Sequence, residues 1–149
     1  MRMKIERLWV VALVCLGLWS SARAQVTVER AWVRTTVPNQ ASSGAFMHIT
    51  ALRDVRLTGA RSPVAGVVEV HEMKIDNGIM RMRPVGDLSI TAGQSIELKS
   101  GGYHLMMMDL KRQLKAGETV ALTLEFKAQD GSVSEVVVKA VAAFTQPTP

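Results

Sequence analysis

From Val26 onward apolar and polar residues alternate in short runs, and Pro, Gly, Asn and Asp interrupt the runs every few residues. A period of two is the mark of a strand with one buried face, whereas an amphipathic helix needs a period of 3.6. The pattern predicts strands over Val26 to Arg34, Ser43 to Thr50, Val55 to Ala60, Val67 to Ile75, Ile79 to Arg83, Ser95 to Lys99, Tyr103 to Met108, Thr119 to Lys127 and Ser132 to Phe144. The clearest is the run in which Val120, Leu122, Leu124 and Phe126 alternate with Ala121, Thr123, Glu125 and Lys127. The Val and Ala run from Val136 to Phe144 fits a helix almost as well as a strand. Nine short strands at this spacing predict an all-β sandwich or barrel.

One turn fixes a register. Asp76-Asn77-Gly78-Ile79 carries the Asn-Gly pair favoured by a two-residue type I′ hairpin, in which both turn residues need positive φ. Asp76 then faces Ile79, Ile75 faces Met80, Lys74 faces Arg81, Met73 faces Met82, Glu72 faces Arg83 and His71 faces Pro84. Alternation puts His71, Met73, Met80 and Met82 on one side, with His71 diagonal to Met82. Glu72, Lys74, Arg81 and Arg83 take the other, which reads as a solvated face with a Glu72–Arg83 ion pair. Further on, His104, Met106 and Met108 share one face, and Tyr103, Leu105 and Met107 the other.

These patterns gather two of the three histidines and six of the nine methionines between His71 and Met108. Reduced copper gives such a gathering a chemical cause. Cu(I) is soft and accepts neutral thioether sulfur beside imidazole, whereas Mg, Ca and Mn prefer oxygen and Zn prefers thiolate, imidazole or carboxylate.

His71, ten residues, Met82, twenty-one residues, His104, one residue and Met106 form a spacing that resembles the signature of the periplasmic copper chaperone family called PCu(A)C. The likeness runs from about Val26 to Phe126, including Ala31-Trp32-Val33-Arg34, the segment from Pro38 to Phe46, and Gly101-Gly102-Tyr103-His104-Leu105-Met106. It implies a cupredoxin-like Greek-key sandwich or barrel that binds one Cu(I) per chain through His71, Met82, His104 and Met106. It further implies delivery to the copper-accepting domain of a respiratory terminal oxidase, at its dinuclear copper centre, with or without a thiol-bearing assembly factor. Neutral donors leave the bound site with about one positive charge, which favours Cu(I) over Cu(II).

The N-terminus sets the compartment. Arg2, Lys4 and Arg7 precede an apolar run from Leu8 to Leu18, and Ala22-Arg23-Ala24 is a cleavage box, so residues 1–24 are expected to be a secretory signal cut after Ala24. The predicted location is periplasmic, with no membrane span after cleavage. Residues 25–145 suit one domain, and 146–149 a disordered tail. Loss of Arg2, Lys4, Arg7, Arg23 and Glu6 lowers the formal charge from +5 to +2, which removes the electrostatic case for nucleic acid. The only cysteine, Cys15, leaves with the signal. Without a thiolate, a blue-copper electron-transfer site is excluded.

Singly, each residue has a plainer reading. Met47, Met73, Met80, Met107 and Met108 read as core filler, with Met107 the safest because it shares a face with Leu105. Met73 and Met108 lie on the ligand face and could instead shield the metal or act as a spare donor. His48 reads as a structural or surface histidine, Trp32 and Tyr103 as packing residues. Lys111, Arg112 and Lys115 form either a solvated loop or a docking patch for an acidic partner. A copper buffer without a dedicated partner and a metal-free interaction module remain as alternative functions. No nucleophile elbow, phosphate loop or carboxylate–histidine constellation points to an enzyme, and a monomer is expected.

Overall fold

The computed structural model describes residues 26–148, so the predicted signal and Cys15 lie outside the described residues. Ten strands and, among the described residues, no helix make up the chain. They are β1 (Val26–Arg34), β2 (Ser42–Ala51), β3 (Val55–Arg61), β4 (Ala65–Asp76), β5 (Ile79–Pro84), β6 (Leu88–Ile90), β7 (Ser95–Leu98), β8 (Tyr103–Leu110), β9 (Thr119–Ala128) and β10 (Val133–Ala143). All nine predicted strands are present. β6 went unforeseen because three residues are too few to show a period, although Leu88 and Ile90 are buried where they pair with β3.

The strand order β4-β8-β2-β1-β10-β9-β3 returns to β4 through the pairing of Ala60 with Val68, closing a seven-strand barrel of cupredoxin-like type. β5 and β6 extend it, and β7 pairs with the far end of β2. β1 and β10 run parallel, and every other pairing is antiparallel. The interior is filled by one face of each strand. Val120, Leu122, Leu124 and Phe126 of β9 are buried as the alternation predicts. In β10, Val138, Ala140 and Ala142 are buried while Val137 and Val141 are exposed, so the ambiguous run is a strand.

Two irregularities in this wall prepare the site. In β1 the register shifts between Glu29 and Trp32, with Arg30 at φ 52°. Such a bulge exchanges the faces of the residues beyond it. Val26 and Val28 therefore face the same way as Val33, whereas Trp32 and Arg34 point outward across the exterior of the barrel. The second is the β4–β5 hairpin, whose turn has Asn77 and Gly78 at φ 50° and 76°. Its six pairs match the predicted register throughout. Because β8 pairs with β4 only as far as Glu72, the hairpin beyond Met73 stands clear of the barrel and every residue of β5 is exposed.

The reading of the hairpin's second face as solvated needs correction at its base. Lys74, Arg81 and Arg83 are exposed, but Glu72 continues the inward row of Val68 and Val70 and is only 8% exposed. Arg83 donates to its carboxylate at 3.0 and 3.3 Å, and Lys74 Nζ lies 3.2 Å away. The Arg83 hydrogen bonds are the main reason its carboxyl titrates below the ordinary value of 4.5.

Candidate metal centre

The outer face of β4, β5 and β8 carries the predicted ligands, arranged by register alone. His71 of β4 is the direct cross-strand partner of His104 of β8. Their ring centroids are 6.0 Å apart, a gap that one ion with metal–nitrogen bonds of about 2 Å can span. Met82 arrives from β5 opposite Met73, diagonal to His71. Met106 stands two residues from His104 on the same face. Met73, Met82, His104 and Met106 all line a pocket of about 200 Å³ that also takes in Phe46 and Arg34. His71 borders this group through its pairing with His104.

The two imidazoles are held differently. His104 is only 4% exposed, and its Nδ1 lies 3.1 Å from the Gly102 carbonyl oxygen. A carbonyl only accepts, so the neutral ring carries its proton on Nδ1 and leaves Nε2 bare. Burial, which disfavours the charged ring, pushes the pKa of His104 below the ordinary 6.5, against the opposing effect of the Gly102 hydrogen bond. The nearby His71 and Arg34 add to the lowering. A neutral imidazole is the form a metal needs. His71 has Nε2 3.1 Å from Glu69 Oε2, while its Nδ1 is buried with no hydrogen-bond partner.

An aromatic floor supports His104. Phe46 lies 6.3 Å from it, centroid to centroid, and 4.6 Å from Trp32, with the Arg34 guanidinium 5.5 Å over its ring. The ring fits because its neighbour on the same face is glycine. A Cβ at Gly44 would sit 2.8 Å from Phe46 Cζ. Gly44 is also the cross-strand partner of Met106, so one small residue makes room for both the floor and the thioether. Sequence reasoning assigned no role to Phe46 or Gly44. The bulge that turns Trp32 and Arg34 outward had no local signal beyond the break in alternation at Arg30-Ala31.

Several single-residue expectations resolve by face. Met47 and Met107 are core residues. Met73 is not filler, since it lines the pocket, and neither is Met80, which is 61% exposed on the hairpin. Met108 is half-buried on the outer face opposite Val67. His48 pairs with Glu97 at 3.2 Å near the surface, as expected of a structural histidine. The basic cluster is partly neutralised, because Arg112 donates to Glu118 at 2.8 and 2.9 Å.

The donor chemistry fits a soft monovalent ion. Among the described residues no three His, Asp or Glu side chains converge as a metal site. Two imidazoles with thioethers do converge, and one nitrogen of this pair, His71 Nδ1, is buried without a hydrogen-bond partner. Hard dications would find no carboxylate set among the described residues, whereas Cu(I) accepts neutral nitrogen and sulfur.

The chain is similar to several known proteins. Residues 26–139 match the family model described as putative lipoprotein LpqE-like. A putative lipoprotein, Lxx21020, of Leifsonia xyli subsp. xyli is 33% identical over 114 residues, which cover 76% of this chain and 68% of the relative. The solution structure of apo-DR1885 from Deinococcus radiodurans is 31% identical, covers 96% of this chain and 97% of that one, and superposes with a TM-score of 0.57. The Cu(I) form of DR1885 is 33% identical over 81% of this chain and 82% of that one, with a TM-score of 0.51. The apo PCuAC domain of PmoF1, at 20% identity, covers 80% of this chain and 94% of that one and shares the fold with a TM-score of 0.64.

Proposed function

The chain belongs to the LpqE-like family related to PCu(A)C, and from that premise we propose that it is an extracytoplasmic Cu(I) carrier acting as a metallochaperone. His71, Met82, His104 and Met106 hold one ion per chain. The observation that carries this reading is the direct His71–His104 pair, flanked on the same outer face by Met82 and Met106. A relative of 33% identity has been solved as CuI-DR1885, which supports copper as the cargo. The periplasm is the compartment that fits the predicted leader and the lipoprotein name of a relative.

Carriage and release follow from position. The proposed donors lie on the outer face of β4 and β8 and on the projecting β5, and an acceptor would reach them from the β5 side, where every residue is exposed. Met82 is 46% exposed on the projecting hairpin, making it the donor that an incoming ligand displaces most readily. His104, buried and carbonyl-bonded, is the last to let go. Neutral donors hold Cu(I) without the strength of a thiolate pair, and such a site can exchange ligands stepwise. The acceptor we propose is the dinuclear copper centre of a terminal oxidase, and the chain works as a monomer.

Transfer from the Cu(I)-loaded protein to an apo oxidase copper domain tests the chaperone role. Rapid transfer that slows when Met82 or Met106 is replaced by Ala supports stepwise exchange. Retention of copper by the wild-type protein in the presence of the acceptor would instead mark a buffer.

A further inference from the structure

The hydrogen bonds around the two imidazoles distinguish their individual nitrogen atoms. We propose that Glu69 is a positioning residue that holds the His71 proton on Nε2, so that copper is taken by Nδ1 of His71 and Nε2 of His104. This rests on the copper reading of the site.

Glu69 precedes His71 by two residues on the same outward face of β4. Its Oε2 lies 3.1 Å from His71 Nε2. An ionised carboxylate can only accept, so the neutral ring must place its proton on Nε2 and leave Nδ1 bare. That Nδ1 is buried and has no hydrogen-bond partner. Buried polar atoms are nearly always satisfied, and this one, on the ring that faces His104 across the strands, has its lone pair available to an ion. His104 is the mirror case, with Nδ1 turned to the Gly102 carbonyl and Nε2 free. One ring is thus fixed by a carboxylate and the other by the backbone, in opposite tautomers.

The register makes Glu69 part of the site's frame. It is the cross-strand partner of Met106, so the pairing that sets the thioether also sets the carboxylate. Carboxylates that accept from a ligating histidine fix its ring and raise the basicity of the donor nitrogen. Glu69 also brings negative charge beside a complex that is otherwise cationic. Its oxygen is too hard to compete with sulfur and nitrogen for Cu(I).

Two-bond proton–nitrogen correlation spectra of the 15N-labelled protein test this directly. The apo protein is expected to show His71 protonated on Nε2 and His104 on Nδ1. Anaerobic addition of Cu(I) should then shift Nδ1 of His71 and Nε2 of His104. Glu69→Ala should lose the His71 tautomer preference and bind Cu(I) about ten- to a hundredfold more weakly. Glu69→Gln, whose amide oxygen still accepts from Nε2–H, should restore the tautomer and most of the affinity. A copper-induced shift at Nε2 of His71, or an Ala variant with unchanged tautomer and affinity, overturns the proposal and leaves the copper site standing. Should Glu69→Ala lose its dispersed amide spectrum, the shifts of the wild type and Glu69→Gln decide the donor atoms. Absence of a shift on either imidazole overturns the copper reading and this proposal with it.

Discussion

The two faces of β4, β8 and β2 use the same strands for opposite ends. Inward, Val68 and Val70, Leu105 and Met107, and Ala45 and Met47 are buried against the barrel core. Outward, His71 and Met73, His104 and Met106, and Gly44 and Phe46 form an open, soft-donor surface. Met106 and Met107 are adjacent in the chain, yet one lines the pocket and the other is 0% exposed. A methionine's role here is set by strand parity and not by residue type.

That contrast can be broken most sharply at those two methionines. Met107→Ala should cost about 2–5 kcal/mol of stability by leaving a cavity in the core, read by denaturant unfolding, while the folded variant keeps its Cu(I) affinity. Met106→Ala should do the reverse, losing only about 1 kcal/mol but binding Cu(I) markedly more weakly in a chelator competition. Equal effects from the two would collapse the distinction between the faces.

Gly44→Ala probes the support of the outer face. The added Cβ, 2.8 Å from Phe46 Cζ, must displace a ring already held by Trp32 and Arg34. A stability loss of about 1 kcal/mol with a parallel loss of copper affinity is expected, and both can be measured on one preparation.

Acid should strike the faces in sequence. His104 titrates below its ordinary 6.5 in the folded chain because it is buried, so below that pH the unfolded chain takes up a proton that the fold refuses. Apo stability is therefore complete above about 6.5 and declines as pH falls towards the lowered folded value. Glu72, held below 4.5 chiefly by Arg83, contributes stability that is present above 4.5 and lost as pH falls through its folded value. Glu72→Gln should flatten the second decline and leave the first. Unfolding free energies measured across this pH range would show whether the two stages separate.

The smallest effect is expected at the hairpin tip. Met80, exposed and beyond the reach of the pocket, should be replaceable by Ala with unchanged Cu(I) affinity. A clear loss there would extend the site further along β5 than its lining residues indicate.

Much of this was legible in the sequence where local rules decide. The Asn77-Gly78 turn dictated the hairpin register, and period-two alternation separated His104 and Met106 from Leu105 and Met107. What alternation could not supply was the pairing of β4 with β8, which brings His71 against His104 across more than thirty residues of chain. That contact depends on barrel closure, and only the family spacing hinted at it. The inward place of Glu72 was hidden because a charged residue at an alternating position looks solvated until its ion-pair partners are placed around it. The Phe46 floor likewise depends on a bulge in one strand and a glycine in the next.

The most direct test of the account is a Cu(I) titration of the protein against a competing chromophoric chelator, beside a His71→Ala, His104→Ala double variant. Tight binding of one ion per chain, lost in the variant while the fold survives, is the predicted result. Equal binding by both proteins, or none by the wild type, would contradict the assignment of copper to the outer face.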